Sequence, residues 1–203
     1  VKAIDTVDAE HKAVLAIGPG LGQSDASALL VGRLLRGERR FVLDADGLNL
    51  LAATGRVRPD SPAAAVLTPH PGEFKRLAEP LGIDIDPTAP DTRPTAAAAL
   101  ADAHRCIVVL KGQRTVVSDG RRVYINDTGN PALATAGSGD VLTGLIAALL
   151  AQGMTAFDAA CLGAHLHGHA ADRWAKRHGT SGLTALELAR ELPDTFEAVR
   201  RDW

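Results

Sequence analysis

"RFVLDADGLNLLAATG", residues 40–55, decides how the chain folds. A continuous apolar run ends in two acids, and a short helix closed by Gly55 follows. An apolar run without polar alternation is what a strand buried on both faces needs, and parallel sheets are built from such strands. The same order recurs on either side. "AVLAIG" (Ala13–Gly18) reads as a buried strand ending at glycine. "SDASALLVGRLLRG" then reads as a helix, with Ser24 as N-cap and apolar residues at Ala28, Val31 and Leu35. "AAVLTPH" is a strand and "GEFKRLAEPLG" a helix; "TAAAALADAH" is a helix and "CIVVLKG" a strand. "TVVSDGRRVYIND" predicts a hairpin turning at Asp119-Gly120. Long helices are expected over Ser138–Gln152 and Phe157–His178, and a last one over about Thr184–Leu192.

Helices separating apolar strands predict an α/β fold, a mostly parallel sheet with helices on both faces. The 203 residues suffice for one sizeable core, and one domain over 1–203 is expected. The Pro-rich stretch "DPTAPDTRP" (Asp86–Pro94) reads as a surface loop within it. The chain is 46% hydrophobic and 23% charged, an ordinary composition for a soluble protein. A formal net charge of −2 argues against nucleic acid or an anionic membrane as the main partner. The longest apolar helix, Val141 to Ala151, is too short to span a bilayer. Cys106 and Cys161 are expected as free thiols of a reduced cytoplasm, and the lack of CxxC gives a thiolate zinc site no support. No charged segment followed by an apolar stretch opens the sequence, so a signal peptide is not expected. The first residue is Val and no Met precedes Met154, so the opening reads as part of a longer chain or a trimmed one.

In parallel sheets ligands bind outside the carboxyl ends of the strands. Gly18, Asp44, His70 and Lys111 all fall at predicted strand ends. "GPGLG" (Gly18–Gly22) lets a ligand approach the backbone before a helix start, or is a plain tight turn; Gln23 replaces the third glycine of a dinucleotide fingerprint. In "DADGLN" the acids Asp44 and Asp46 suit Mg²⁺ through water or a ligand hydroxyl, and Asp46 equally suits an N-cap at Gly47. "TPHPGE" (Thr68–Glu73) sets His70 between two prolines, which hold the imidazole on the ligand edge. "KGQRT" (Lys111, Gly112, Gln113, Arg114, Thr115) offers a point charge to a phosphate and a close turn, although no Walker A loop occurs. In "AGSGD", Gly137, Ser138 and Gly139 leave backbone N–H groups open at a helix start, a cradle for a phosphoryl group. Asp140 at its rim is placed to take a proton from an attacking hydroxyl; a capped turn is the plainer alternative. "HLHGH" (His165, His167, His169) lacks the Glu of a zinc helix, so these histidines are expected to pack or hydrogen-bond between helices, and no protein metal site is expected.

Together, "AIGPGLG", "VLDADGLNLL", "LTPHPGEFKRL", "VVLKGQRTVV", "NPALATAGSGDVLTGLIAALLAQG" and "HGHAAD" resemble, in order, the ADP/ATP-dependent NAD(P)H-hydrate dehydratases of ribokinase-like fold. The resemblance runs from about Val14 to Gly182. It implies a lyase of metabolite repair that phosphorylates the hydroxyl of hydrated NADH or NADPH (the S-epimer) and expels phosphate to restore the ring. It implies ADP or ATP as co-substrate with Mg²⁺, AMP as the product from ADP, a cytoplasmic setting and a homotetramer. By the same resemblance Asp140 is the catalytic acid–base group, Gly139 and Lys111–Thr115 bind nucleotide, and Gly20, His70 and Asp140 hold the hydrate. The family carries a further glycine-rich region before "AIGPGLG", so the chain is expected to be shortened at its N-terminal side. A ribokinase-like kinase of a small alcohol, or an inactive nucleotide-binding remnant, are the alternative functions.

Overall fold

The computed structural model describes residues 14–35, 39–54 and 65–201. Strands β1 (Val14–Ile17), β2 (Arg40–Leu43), β3 (Ala65–Leu67) and β4 (Ile107–Leu110) run parallel and lie side by side in sequence order. The hairpin strands β5 (Val116–Ser118) and β6 (Val123–Ile125) extend the sheet antiparallel beyond β4. Their turn forms where the sequence places it. The Asp119 carboxylate accepts the backbone N–H groups of Arg121 at 2.9 Å and Arg122 at 2.6 Å, which closes the loop.

The apolar runs are buried on both faces, as parallel strands require. Phe41, Leu43, Val108 and Leu110 point to one layer, made by α1 (Asp25–Leu34), α2 (Ala45–Thr54), α3 (Pro71–Ala78) and α4 (Arg93–His104). Val42, Val66, Ile107 and Val109 point to the other, made by α5 (Ser138–Ala151) and α6 (Ala156–His178). The predicted α/β architecture and the Ser24 cap of α1, whose side chain accepts Ser27 N–H, are both present.

Two expectations change. β1 is half-buried at Val14 and Leu15 and exposed at Ala16, because it lies at the end of the sheet and pairs only with β2 among the described residues. The last helix, α7 (Ala185–Arg201), runs on past Leu192 with Pro193 inside it. Phe196 and Val199 recur at helical spacing beyond the proline and pack on the second core, and that packing outweighs the missing N–H. Gly55 and the opening segment 1–13 lie outside the described residues.

The parallel strands all leave the sheet at one edge, and backbone bonds stitch that edge together. Asp44 N–H donates to Ile17 O at 3.0 Å, Thr68 N–H to Leu43 O at 3.1 Å and Lys111 N–H to Pro69 O at 2.8 Å. Gly18 makes this close approach possible. Its φ is +128°, and a Cβ there would lie 1.8 Å from the Asp44 carbonyl oxygen.

Candidate active site

Asp44 follows β2 directly and is almost wholly buried. Its Oδ1 lies 2.6 Å from Lys111 Nζ, and its Oδ2 accepts the Thr143 hydroxyl of α5 at 2.9 Å. Glu73 Oε2 lies 3.7 Å from the same ammonium. Strand ends β2 and β4 and helices α3 and α5 thus converge on one charge cluster. A buried ion pair is tolerated where further hydrogen bonds satisfy it, and Thr143 supplies one here. The sequence reads Lys111 as a point charge for a phosphate; the structure also pairs it with Asp44.

His70 caps α3. Its Nδ1 accepts Gly72 N–H at 3.0 Å and Glu73 N–H at 3.4 Å, and Glu73 Oε2 accepts His70 N–H at 2.8 Å. This is a capping box with histidine in the serine position. In the neutral ring the proton therefore sits on Nε2, which lies 3.5 Å from Glu73 Oε1 on a half-exposed side chain. The imidazole is held, as the flanking prolines predict.

Gly137 is the N-cap of α5, and no side chain caps this helix. Of the N–H groups expected to form an anion cradle, that of Ser138 is taken by Thr135 O at 3.3 Å, which leaves the cradle to the following residues of the first turn. A Cβ on Gly139 would lie 3.3 Å from Lys111 Nζ and 3.5 Å from Asp44 Oδ2, so this turn sits directly on the charge cluster. The Ser138 hydroxyl donates away from it, to Leu133 O at 2.8 Å.

A cavity of about 650 Å³ opens beside this turn. It collects His70, Lys111, Gly112, Gln113, Arg114, Thr115, Ser138 and Gly139 from the residues singled out in the sequence. Gly20, Gly137 and Asp140 are outside its lining. Asp140 is exposed in the first turn of α5, one residue beyond Gly139. Gly20 is exposed in the glycine loop, whose Gly22 N–H and Gln23 amide donate to Asp46 at 2.9 and 3.0 Å. Asp46 therefore does not cap α2; it lies in the first turn and fastens the glycine loop to that helix.

Sequence reasoning missed the far wall, residues Asn126–Asn130. Thr128 donates to His165 O at 2.8 Å, while Asp172 accepts Gly129 N–H and the Asn130 amide, each at 2.8 Å. The acid one turn beyond "HLHGH" was the available signal: it serves this loop. His165 and His169 stack with ring centroids 6.0 Å apart. His167 Nε2 lies 2.9 Å from Ser138 O, so it joins α6 to the cradle turn. Among the described residues no group of three or more His, Cys, Asp or Glu could hold a metal ion. Nor is any helix there long and apolar enough to cross a membrane.

Burial pushes the His167 imidazole down from about 6.5 to about 4, so it donates to Ser138 as the neutral ring. The unfolded chain binds this proton between those values and the folded chain does not. Stability therefore falls as pH drops from about 6.5 toward 4, by up to about 3 kcal/mol. Urea unfolding at pH 7 and 4.5 checks this: His167→Gln should flatten the decline, and an unchanged pH slope would refute it.

The model of the family described as NAD(P)H-hydrate dehydratase matches residues 2–194. The chain belongs to that family. It is 48% identical over 183 residues to a bifunctional NAD(P)H-hydrate repair enzyme of Moorella thermoacetica, covering 89% of this chain and 34% of the relative. It is 40% identical to an ADP-dependent (S)-NAD(P)H-hydrate dehydratase of Neisseria meningitidis, covering 92% and 65%. The chain thus spans about a third of the bifunctional relative and about two thirds of the dehydratase. Among solved structures, the ADP/ATP-dependent NAD(P)H-hydrate dehydratase of Bacillus subtilis, co-crystallised with ATP/Mg²⁺ and soaked with CoA, superposes with a TM-score of 0.79 at 33% identity, over 92% of this chain and 66% of that one. A hydroxyethylthiazole kinase of Pyrococcus horikoshii superposes at 0.76 with 19% identity, a likeness of fold alone.

Proposed function

We propose that the chain dehydrates the S-epimer of hydrated NADH or NADPH at the expense of ADP or ATP. With ADP the reaction gives NAD(P)H, AMP and phosphate. The observation that carries this reading is the division made by the first turn of α5. Ser138 and Gly139 face the cavity with Lys111–Thr115, and Asp140 stands outside that cavity on the next residue. A nucleotide in the cavity would place its terminal phosphate on the first-turn N–H groups beyond Ser138 and near Lys111. The hydrate would approach from the side of Gly20 and Asp140, with His70, on the cavity wall, reaching it at the boundary. Asp140 takes the proton of the ring hydroxyl as its oxygen attacks phosphorus. Hydroxide leaves poorly and phosphate leaves well, so the ring nitrogen lone pair then expels it, and the resulting iminium loses a proton from the adjacent ring carbon to restore the double bond.

Mg²⁺ is expected with the nucleotide. Mg²⁺ keeps several waters and uses one or two carboxylates together with substrate phosphates. Asp44 and Glu73 do not fit that role as they stand: their oxygens are engaged by Lys111, Thr143 and His70, and neither lines the cavity, so the ion would be carried by the phosphates and water. The ion would neutralise phosphate charge. The homotetramer and the cytoplasmic setting rest on the resemblance alone.

The test is to mix the protein with hydrated NADH, Mg²⁺ and ADP or ATP and follow near-ultraviolet NADH absorbance. Nucleotide-dependent recovery supports the reading. A stable phosphoester instead would identify an alcohol kinase, and ADP binding without any product would identify a remnant.

A further inference from the structure

Arg93 is a buried cation, 6% exposed, that none of the steps above uses. It opens α4, where the helix dipole disfavours positive charge. Its guanidinium folds back to the end of β4. Nη1 donates to Pro87 O at 2.8 Å, and Nη2 to Leu110 O at 2.9 Å and Lys111 O at 3.2 Å. Nε has no partner. Burial lowers its pKa, and among the described residues no carboxylate offsets its charge. Such a buried charge is costly unless something compensates it.

The compensation has one evident direction. Gly112, at φ +131°, lies flat against the guanidinium: a Cβ there would be 3.3 Å from both Nη atoms. Gly112 also lines the cavity. One residue's backbone therefore separates the guanidinium from the space beyond. We infer that Arg93 is a positioning residue for the nucleotide's phosphates. It pins the Leu110 and Lys111 carbonyls so that the Lys111–Gly112 turn faces the cavity, and bound phosphates offset its charge through that wall. The inference rests on the cavity being the nucleotide site. A lysine would keep the charge but could not serve several carbonyls at once in the fixed fork geometry of arginine.

The experiment compares ADP and adenosine binding by titration calorimetry and competition in wild type, Arg93→Lys and Arg93→Met. Adenosine carries the base and sugar without phosphate. The expected result is ADP affinity reduced by about tenfold in Arg93→Met and by less in Arg93→Lys, with adenosine affinity unchanged. The loss of ADP affinity should shrink at high salt. A general loosening of the fold would weaken both ligands together, and that outcome overturns the inference, as does unchanged ADP affinity. If Arg93→Met does not fold, Arg93→Lys carries the same comparison. Wild type that binds no ADP would instead overturn the nucleotide reading of the cavity, and the inference with it.

Discussion

Asp140→Asn is expected to slow recovery of NADH from its hydrate by about 10²-fold or more, while ADP binds as it does to wild type. The two halves of this expectation come from where the residue stands. Asp140 is exposed in the first turn of α5 and takes no part in lining the cavity, so the nucleotide should not sense its loss. The carboxamide keeps the size of the side chain but cannot accept the hydroxyl proton. No core contact is lost, and the melting temperature should hold. Single-turnover kinetics with hydrated NADH and calorimetry with ADP measure the two halves separately. Turnover within a few-fold of wild type would remove Asp140 as the base; weakened ADP binding would place it on the nucleotide side of the turn.

Lys111→Ala is expected to act on two quantities at once. ADP affinity should fall by about tenfold or more, since a cation beside the phosphates is removed. Stability should fall too, by about 3–5 kcal/mol, because the buried Asp44 carboxylate loses the ammonium 2.6 Å away. The double variant Asp44→Asn/Lys111→Met separates these effects. Removing both charges should restore much of the stability without restoring ADP affinity. Denaturant midpoints and ADP titrations of the three proteins decide the matter. ADP affinity that is unchanged in Lys111→Ala would take the lysine out of the phosphate site.

The fold was legible because the apolar runs at residues 14–17, 41–43, 65–67 and 107–110 lack polar alternation and end in glycine, acid, histidine or lysine. That pattern fixes a buried parallel sheet and its ligand edge before any packing is known. The last helix, expected to end at about Leu192, runs on past Pro193 because Phe196 and Val199 pack beyond it. At the site, the motifs named the cavity residues from Lys111 to Thr115 and the turn at Ser138 and Gly139. Spacing could not disclose that Lys111 and Asp44, 67 residues apart, are an ion pair. Nor could it show that Asp46 serves the glycine loop or that Asp172 holds the wall at Gly129 and Asn130. Each of these is a side chain meeting a group far away in sequence, and only the closed fold brings them together. Arg93 was invisible for the same reason: in the sequence it is one more arginine beside a proline.

The Ser138 hydroxyl is turned toward Leu133 O, away from the charge cluster that its own backbone overhangs. A serine so engaged is turned away from a phosphoryl group held over that cluster, and the neighbouring Asp140 carboxylate stands outside the cavity. On the proposed reading, transfer is expected to be a single displacement with both reactants present together. The chirality of an isotopically labelled phosphorus would invert once, and no phosphorylated protein would accumulate when nucleotide is supplied alone.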